Sequence, residues 1–169
     1  MNEKDRLLKI LKSLSYEEGD FVLVSGKKSS YYIDAKETTL NPEGMYRVGN
    51  IMYAMVKEIS GVDAVGGVSI GGDPLVCAVV LTAFGRKDNL AGFLIRKEPK
   101  GHGTNRWVEG GKNLRKGMSV IILEDVVTTG GSSLKAIEAT EKEGYSVKGI
   151  VAIIDRLEGG KDIIESKGY

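Results

Sequence analysis

The sequence predicts an α/β fold with a doubly wound, mainly parallel sheet flanked by helices. Apolar segments of strand length alternate with stretches of helical periodicity, which is typical of parallel strands joined by crossover helices. Four such apolar segments are present, at residues 63–69, 90–96, 118–124 and 146–154. No repeat, low-complexity tract or linker interrupts the 169 residues. We therefore expect one domain over 1–169.

The N-terminal part, at about 1–40, is expected to form a helix and a small hood. Leucines and isoleucines at helical spacing predict an amphipathic helix over residues 2–14. Segments 20–24 and 29–36 are rich in β-branched and aromatic residues and flank a turn-forming sequence at 25–28. Together they predict an antiparallel hairpin.

The core, at about 41–169, is expected to begin with a helix that ends near residue 60. Asn41 followed by Pro42 is a typical N-cap and first helical residue. Further helices are predicted at 75–84 and from about 132 to Gly144, a residue that tolerates the left-handed conformation of a helix end. Residues 97–113 are expected to form a long glycine-containing loop.

Composition and charge exclude several classes of protein. The chain has 24 basic and 23 acidic side chains and a formal net charge of +1, so no global field attracts nucleic acid or an anionic membrane. The single cysteine, Cys77, lies in an apolar run and is expected to be a buried thiol in a reducing compartment. No signal peptide or run of about 18 apolar residues is found. We expect a soluble, cytoplasmic protein.

Residues 120–133 carry the strongest chemical signal, an apolar strand followed by two acids and a small-residue turn that opens a helix. The turn can bring backbone N–H groups and hydroxyls around a phosphate, and the helix N-terminus adds a favourable dipole. Glu124 and Asp125 can accept hydrogen bonds from ribose hydroxyls and favour positive charge on the sugar. As strand neighbours they point in opposite directions. The segment predicts a site for a phosphorylated ribose.

Other phosphate-binding motifs are absent from the sequence. No G-x-x-x-x-G-K is present, and the G-x-G at residues 101–103 does not extend to G-x-G-x-x-G. A P-loop and a dinucleotide fingerprint are therefore excluded. An ordinary strand, polar loop and helix cap is the alternative explanation of residues 120–133.

Two other loops could contact anions. Residues 96–103 place four potential cations beside glycines that allow movement, and closing such a loop would stabilise charge on a departing anionic group. A solvated basic loop is the alternative. Residues 69–74 follow a predicted strand and offer backbone amides to another anion, although a glycine turn before a helix explains them nearly as well.

Residues 120–133 resemble the signature of the type I phosphoribosyltransferases, which use 5-phosphoribosyl 1-pyrophosphate (PRPP) with Mg2+. Residues 96–103 are similar to the mobile catalytic loop of orotate phosphoribosyltransferases, and residues 21–34 resemble their base-binding hood. The resemblance covers nearly the whole chain. It implies the type I phosphoribosyltransferase fold and transfer of the phosphoribosyl group from PRPP to orotate, which yields orotidine 5'-monophosphate and pyrophosphate in pyrimidine biosynthesis.

The resemblance also implies a role for particular residues. Catalysis is assigned to Lys100, His102 and Asp125. PRPP binding is assigned to Arg96, Lys97, Lys100, His102, Glu124, Asp125, Val126, Val127, Thr128, Thr129, Gly130, Gly131 and Ser132. Orotate binding is assigned to Tyr32, Ile33, Thr128 and Arg156, and the pyrophosphate loop comprises Ile70, Gly71 and Gly72. Ordinary packing of Tyr32, or a surface pair between Asp155 and Arg156, is the alternative.

The resemblance further implies a homodimer whose subunits share active sites, and Mg2+ that arrives with PRPP rather than in a dedicated protein cage. Val24 and Gly71 depart from the pattern, because several members of the family carry lysine at these positions. The chain also stops at Tyr169, where relatives usually continue into another strand. Two alternatives stay open: a phosphoribosyltransferase for another base, and a non-catalytic sensor of PRPP or nucleotides on the same fold.

Overall fold

The structure is a computed structural model that describes residues 2–22, 26, 28–99 and 107–169. The elements, in chain order, are α1 Glu3–Leu14, β1 Tyr16–Val22, β2 Lys28–Ile33, α2 Ala35–Thr39, α3 Pro42–Glu58, β3 Ala64–Val68, α4 Gly72–Gly85, β4 Ala91–Ile95, β5 Val108–Glu109, β6 Ser119–Val127, α5 Gly131–Lys142, β7 Ser146–Asp155 and α6 Gly160–Ser166. A short 3-10 helix, Gly111–Asn113, follows β5.

The central sheet has five strands in the order β5-β4-β3-β6-β7. Strands β4, β3, β6 and β7 are parallel, and the two-residue β5 pairs antiparallel with β4. Helices cover both faces, since α1, α3 and α4 pack on one side and α5 on the other. The predicted doubly wound, mainly parallel α/β fold is confirmed.

Alternating residues of β6 enter the two halves of the core. Ile121 and Leu123 pack towards α3 and α4, whereas Val120 and Ile122 pack towards α5. All four side chains are fully buried, as expected for a central strand of a parallel sheet. The alternation also fixes which face of the sheet receives each side chain beyond Leu123.

The hood is a separate two-stranded antiparallel sheet of β1 and β2. Its first strand begins at Tyr16, earlier than predicted, and its second ends at Ile33 instead of extending to residue 36. The reason is Asp34, whose side chain accepts a hydrogen bond from the Lys36 backbone N and caps α2, a helix that was not predicted. Residues 25 and 27 of the predicted turn at 25–28 lie outside the described residues.

The predicted core helices and strands are found with small shifts at their ends. Asn41 caps α3 by accepting hydrogen bonds from the backbone N of Glu43 and Gly44, and Gly144 adopts the left-handed conformation after α5. Strand β5 and helix α6 were not predicted. Each is too short for a hydrophobic period to be recognised.

The expected burial of Cys77 is wrong, because the side chain is exposed. Helix α4 is apolar on every face, and Cys77 shares its outward stripe with the exposed Leu81 and Phe84. An apolar run therefore did not distinguish the inner face of this helix from the outer one. No helix within the described ranges is long and apolar enough to cross a membrane.

Candidate active site

The candidate site lies at the carboxyl ends of β3 and β6. Strand β3 has β4 on one side and β6 on the other, so the chain winds in both directions from this point. Open α/β sheets bind ligands in the crevice at such a switch point. The pairing of β3 with β6 ends at Gly67 and Leu123, whereas β6 continues beside β7 to Val127. The two acids lie on this extension.

Glu124 and Asp125 point to opposite faces of the sheet, as predicted from their positions in a strand. Glu124 is 5% exposed, and its Oε1 accepts a hydrogen bond of 2.8 Å from Ser133 Oγ on α5. Burial raises the pKa of Glu124 to about 7; the charge of Asp125 adds to this effect and the Ser133 hydrogen bond opposes it. Asp125 is only partly buried, so its carboxylate is available to a ligand.

The loop after β3 closes against Asp125. A Cβ atom at Gly71 would collide with the Asp125 carboxyl group, and one at Gly72 would lie 2.6 Å from the Gly67 backbone. The bond between Ser69 and Ile70 is a cis peptide. These glycines thus allow the predicted pyrophosphate loop to approach the acid, and a side chain at position 71 does not fit beside Asp125 as it is placed here.

The loop at 128–131 connects β6 to α5 and leaves polar groups at the helix N-terminus. Gly130 has a φ of 78° and immediately precedes α5, while Thr129, Gly131 and Ser132 are exposed. Exposed amides and hydroxyls at the start of a helix suit a phosphate. The phosphorylated end of a ribose at this loop stays a prediction.

Arg156 lies where the hood meets the end of β7. Its guanidinium is 4.5 Å from the centroid of the Tyr31 ring, Nη2 donates to Ser29 Oγ at 3.3 Å, and Nε is 2.9 Å from Glu158 Oε1. Its side chain is 7% exposed. Asp155 is not its partner, because Asp155 Oδ1 accepts a hydrogen bond from the Leu157 backbone N. The hood and Glu158 thus hold one guanidinium in a fixed position.

Comparison with known proteins agrees with this geometry. Residues 41–167 match the phosphoribosyl transferase domain family. The orotate phosphoribosyltransferase of Sorangium cellulosum is 46% identical over 167 residues, which cover 99% of this chain and 87% of that protein. The chain belongs to the orotate phosphoribosyltransferase family.

Further orotate phosphoribosyltransferases show the same relationship. The protein from Aquifex aeolicus is 44% identical over 171 residues, which cover 99% of this chain and 92% of that protein. The crystal structure of the Mycobacterium tuberculosis H37Rv orotate phosphoribosyltransferase in complex with PRPP has a TM-score of 0.79 and 26% identity, covering 99% of this chain and 91% of that one. The similarity therefore extends from the sequence to the arrangement of the elements.

The two hood tyrosines of this phosphoribosyltransferase face opposite ways. Tyr31 stacks on Tyr16 at 5.8 Å and on the Arg156 guanidinium, whereas Tyr32 packs against Phe21 at 5.5 Å and is 42% exposed. The alternation of the pair was predicted. The contact between Tyr31 and Arg156 was not predicted, because strand alternation does not show which of the two tyrosines lies beside the end of β7.

The basic loop is described only at its ends. Arg96 Nη1 forms an ion pair of 2.6 Å with Glu109 Oε1, and Lys97 is exposed. Both line a cavity of 570 Å³ together with Ser132 of α5, so the start of the loop and the start of α5 are brought together. Lys100 and His102 lie outside the described residues, as does Val24.

Two residues near the site were missed in the sequence. Gly160 supports the loop at 128–131, because its backbone N donates to Thr128 O at 3.0 Å and a Cβ atom there would lie 2.9 Å from Gly130 N. A second Gly-Gly pair at 159–160 was the available signal.

Lys36 is the second residue that the sequence analysis missed. Its Nζ lies 2.6 Å from Asp34 Oδ1. A single lysine after a hairpin gives no comparable signal.

Proposed function

We propose that this chain transfers the 5-phosphoribosyl group of PRPP to N1 of orotate and releases pyrophosphate, as an enzyme of pyrimidine nucleotide synthesis in the cytoplasm. The observation that carries the proposal is the junction between β6 and α5. There Asp125 is partly buried, Thr129, Gly131 and Ser132 are exposed at the start of α5, and Gly71 of the glycine loop closely approaches the Asp125 carboxyl group. A sugar with a phosphate at one end and a pyrophosphate at the other suits this arrangement.

The proposed chemistry requires support for two opposite charges. As the C1–O bond of PRPP breaks, positive charge develops on the ribose and negative charge on pyrophosphate. The Asp125 carboxylate supports the sugar, and residues 128–132 hold the 5'-phosphate. Lys100 and His102 are proposed to approach pyrophosphate when their loop closes, because cations and donors in a water-excluded site stabilise a leaving anion.

Arg156 is proposed to recognise the acceptor. Orotate carries a carboxylate and a carbonyl edge, and a planar guanidinium matches both. Because Tyr31, Ser29 and Glu158 already hold Arg156, little rotational freedom is lost on binding. We assign Tyr32, Ile33 and Thr128 to the remaining contacts with the base.

Magnesium fits the donor set of the site. Mg2+ prefers oxygen ligands and usually binds through one or two carboxylates together with substrate phosphates. Asp125 offers a partly exposed carboxylate beside the proposed pyrophosphate loop, so it would hold an ion delivered with PRPP. The bound ion would neutralise phosphate charge. Among the described residues no group of three or more potential ligands forms a separate metal site.

A homodimer is part of the proposal. Tyr46 on α3 and Leu81 on α4 are 66% and 72% exposed and line one groove together with Cys77. An apolar groove of this kind is typical of a protein–protein interface. We propose that the groove pairs with its copy in a second chain, and that the loop carrying Lys100 serves the partner's site.

Complementation tests the shared site. Lys100→Ala and Asp125→Asn are expected to inactivate the enzyme by removing a loop donor and a pocket carboxylate. If the loop and the pocket come from different chains, mixed dimers contain one intact site and regain activity when the two variants are refolded together. Refolding each variant alone is the control, and no recovery in the mixture would count against shared sites.

The decisive experiment follows orotate absorbance in the presence of PRPP and Mg2+. Loss of orotate that depends on PRPP, with release of pyrophosphate, is the expected result. Turnover of a purine or another pyrimidine without loss of orotate would establish the alternative substrate class. PRPP binding in calorimetry without turnover of any base would instead establish a sensor.

A further inference from the structure

We propose that Lys36 is a substrate-binding residue that contacts an anionic oxygen of pyrophosphate or of orotate. The proposal rests on the function proposed above, in which both substrates carry negative charge into a crevice that contains Asp125. It identifies a cation that approaches this crevice from the hood side and that sequence analysis did not reveal.

The position of Lys36 is fixed by the local fold. Helix α2 packs against β6, the strand that carries Asp125. Lys36 is in the first turn of α2, where Asp34 Oδ1 accepts hydrogen bonds from both its backbone N at 3.0 Å and its Nζ at 2.6 Å. One carboxylate oxygen therefore holds the backbone and the ammonium group of the same residue.

Acidic groups around Lys36 favour the charged form of its ammonium group. Asp34 raises the pKa of Lys36 through its hydrogen bond, and the charges of Asp125 and Tyr32 act in the same direction. Because α2 packs against β6, the negative charge of Asp125 also acts on the Lys36 ammonium group. A group in this position remains protonated and positively charged when a substrate enters.

Lys36 retains capacity for a ligand. An ammonium group has three donors, and the hydrogen bond to Asp34 uses one of them. The side chain is 40% exposed. The loop at 70–72 has no side-chain cation of its own. Lys36 can therefore offset the charge of Asp125, which would otherwise repel an anionic substrate.

The test compares Lys36→Met and Lys36→Gln with the wild type. We expect either variant to lower kcat/KM for one substrate by roughly 10- to 100-fold, the range for a lost charge-assisted hydrogen bond, without a loss of the folded state in thermal melts. Lys36→Arg, which keeps the charge, is expected to recover most of the activity. Lys57→Met is the matched control, because Lys57 also pairs with an aspartate, Asp88, at 3.0 Å, near the opposite end of the sheet.

Binding measurements show whether Lys36 contacts pyrophosphate or orotate. They also distinguish a failure of this proposal from a failure of the proposed function. Calorimetry with inorganic pyrophosphate alone and with orotate alone is expected to show weaker binding of one ligand to Lys36→Met, in parallel with its kinetic defect. If both ligands bind this variant as tightly as the wild type and the Lys57→Met control, the role of Lys36 is refuted. A wild type that binds pyrophosphate but does not convert orotate would refute the proposed function instead.

Discussion

Glu124 and Asp125 are neighbours in the chain but differ in environment. Glu124 lies under α5 with Ser133 as its hydrogen-bond donor, whereas Asp125 faces the crevice and the glycine loop. Of the pair, Asp125 is the more available to a ligand, and Glu124 connects β6 to α5 through its hydrogen bond with Ser133. The sequence did not assign separate roles to Glu124 and Asp125. We propose that their different burial separates these roles.

Glu124 should make stability depend on pH. Its pKa is about 7 in the folded chain and near 4.5 without burial, so between these values the folded state binds a proton that the unfolded state lacks. Stability therefore falls as pH rises through this window. Glu124→Gln should remove this dependence, which is on the order of 3 kcal/mol. Urea denaturation at about pH 5 and about pH 8, without ligands, measures it.

The exposed Glu138 provides the control for this measurement. It pairs with Lys142 on the surface of α5, so Glu138→Gln should leave the pH dependence of the wild type nearly intact. If Glu124→Gln and the wild type lose the same stability over the window, Glu124 is not the titrating group.

Gly71→Ala should lower the activity of this chain. A Cβ atom there would displace the Asp125 carboxylate. A displacement of a catalytic group by about 1 Å can lower the rate about 10²-fold. We expect Gly71→Ala to lower kcat by roughly 10-fold or more while the protein stays folded. Gly85→Ala, at the end of α4 with open space around it, is the control. Wild-type turnover in Gly71→Ala would disprove the close approach.

Single residues were predictable from sequence where a local pattern determined their role. Glu124 and Asp125 followed a recognisable strand and preceded a glycine turn. Cys77 and Lys36 were not predictable, because their environments depend on which face of a helix is covered and on which strand lies opposite. The raised pKa of Glu124 likewise depends on the packing of α5, which is a tertiary contact.

Secondary-structure elements were predicted best where caps and periodicity agreed. Asn41, Pro42 and Gly144 marked helix ends correctly because their effects are local. Asp34 was assigned to a strand because the apolar pattern before it is strand-like, although an aspartate also caps helices. The two-residue β5 depends on its pairing with β4, and no local signal encodes such pairing.

Helix α6 is expected to hold the loop at 128–131 in shape. Gly160 begins this helix and contacts the backbone of Thr128 and Gly130. A methyl group at position 160 would overlap these atoms, so Gly160→Ala should raise the KM for PRPP and destabilise the protein by about 1–3 kcal/mol. Steady-state kinetics and thermal melts would show both effects.

The matched control for this change is Gly111→Ala in the 3-10 helix. Its Cβ atom would have ordinary contact with Tyr145 Oη at 3.5 Å, so the KM for PRPP should not change. An unaltered KM for PRPP in Gly160→Ala would mean that α6 does not support the loop at 128–131.

On the scale of the whole molecule, the groove between α3 and α4 should determine the oligomeric state. Leu81→Glu places a charge in the proposed interface, where burial without a partner is costly. We expect a change from two chains to one in sedimentation measurements, together with loss of turnover if active sites are shared. Ile163→Glu, a 44% exposed position on α6, should leave the mass unchanged. A wild type that sediments as a monomer would contradict the proposal.

The bridge between the hood and β7 has a consequence for synthesis on the ribosome. Ser29 and Arg156, which are hydrogen-bonded, are 127 residues apart in the chain. An isolated two-stranded sheet is at best marginally stable in water, so we expect the hood, although made early, to gain its full stability only after Arg156 has been synthesised. By then β3, β4 and β6 are already available to pair. We expect pulsed hydrogen exchange during refolding to protect β3 and β6 before β1 and β2; the reverse order would exclude this dependence.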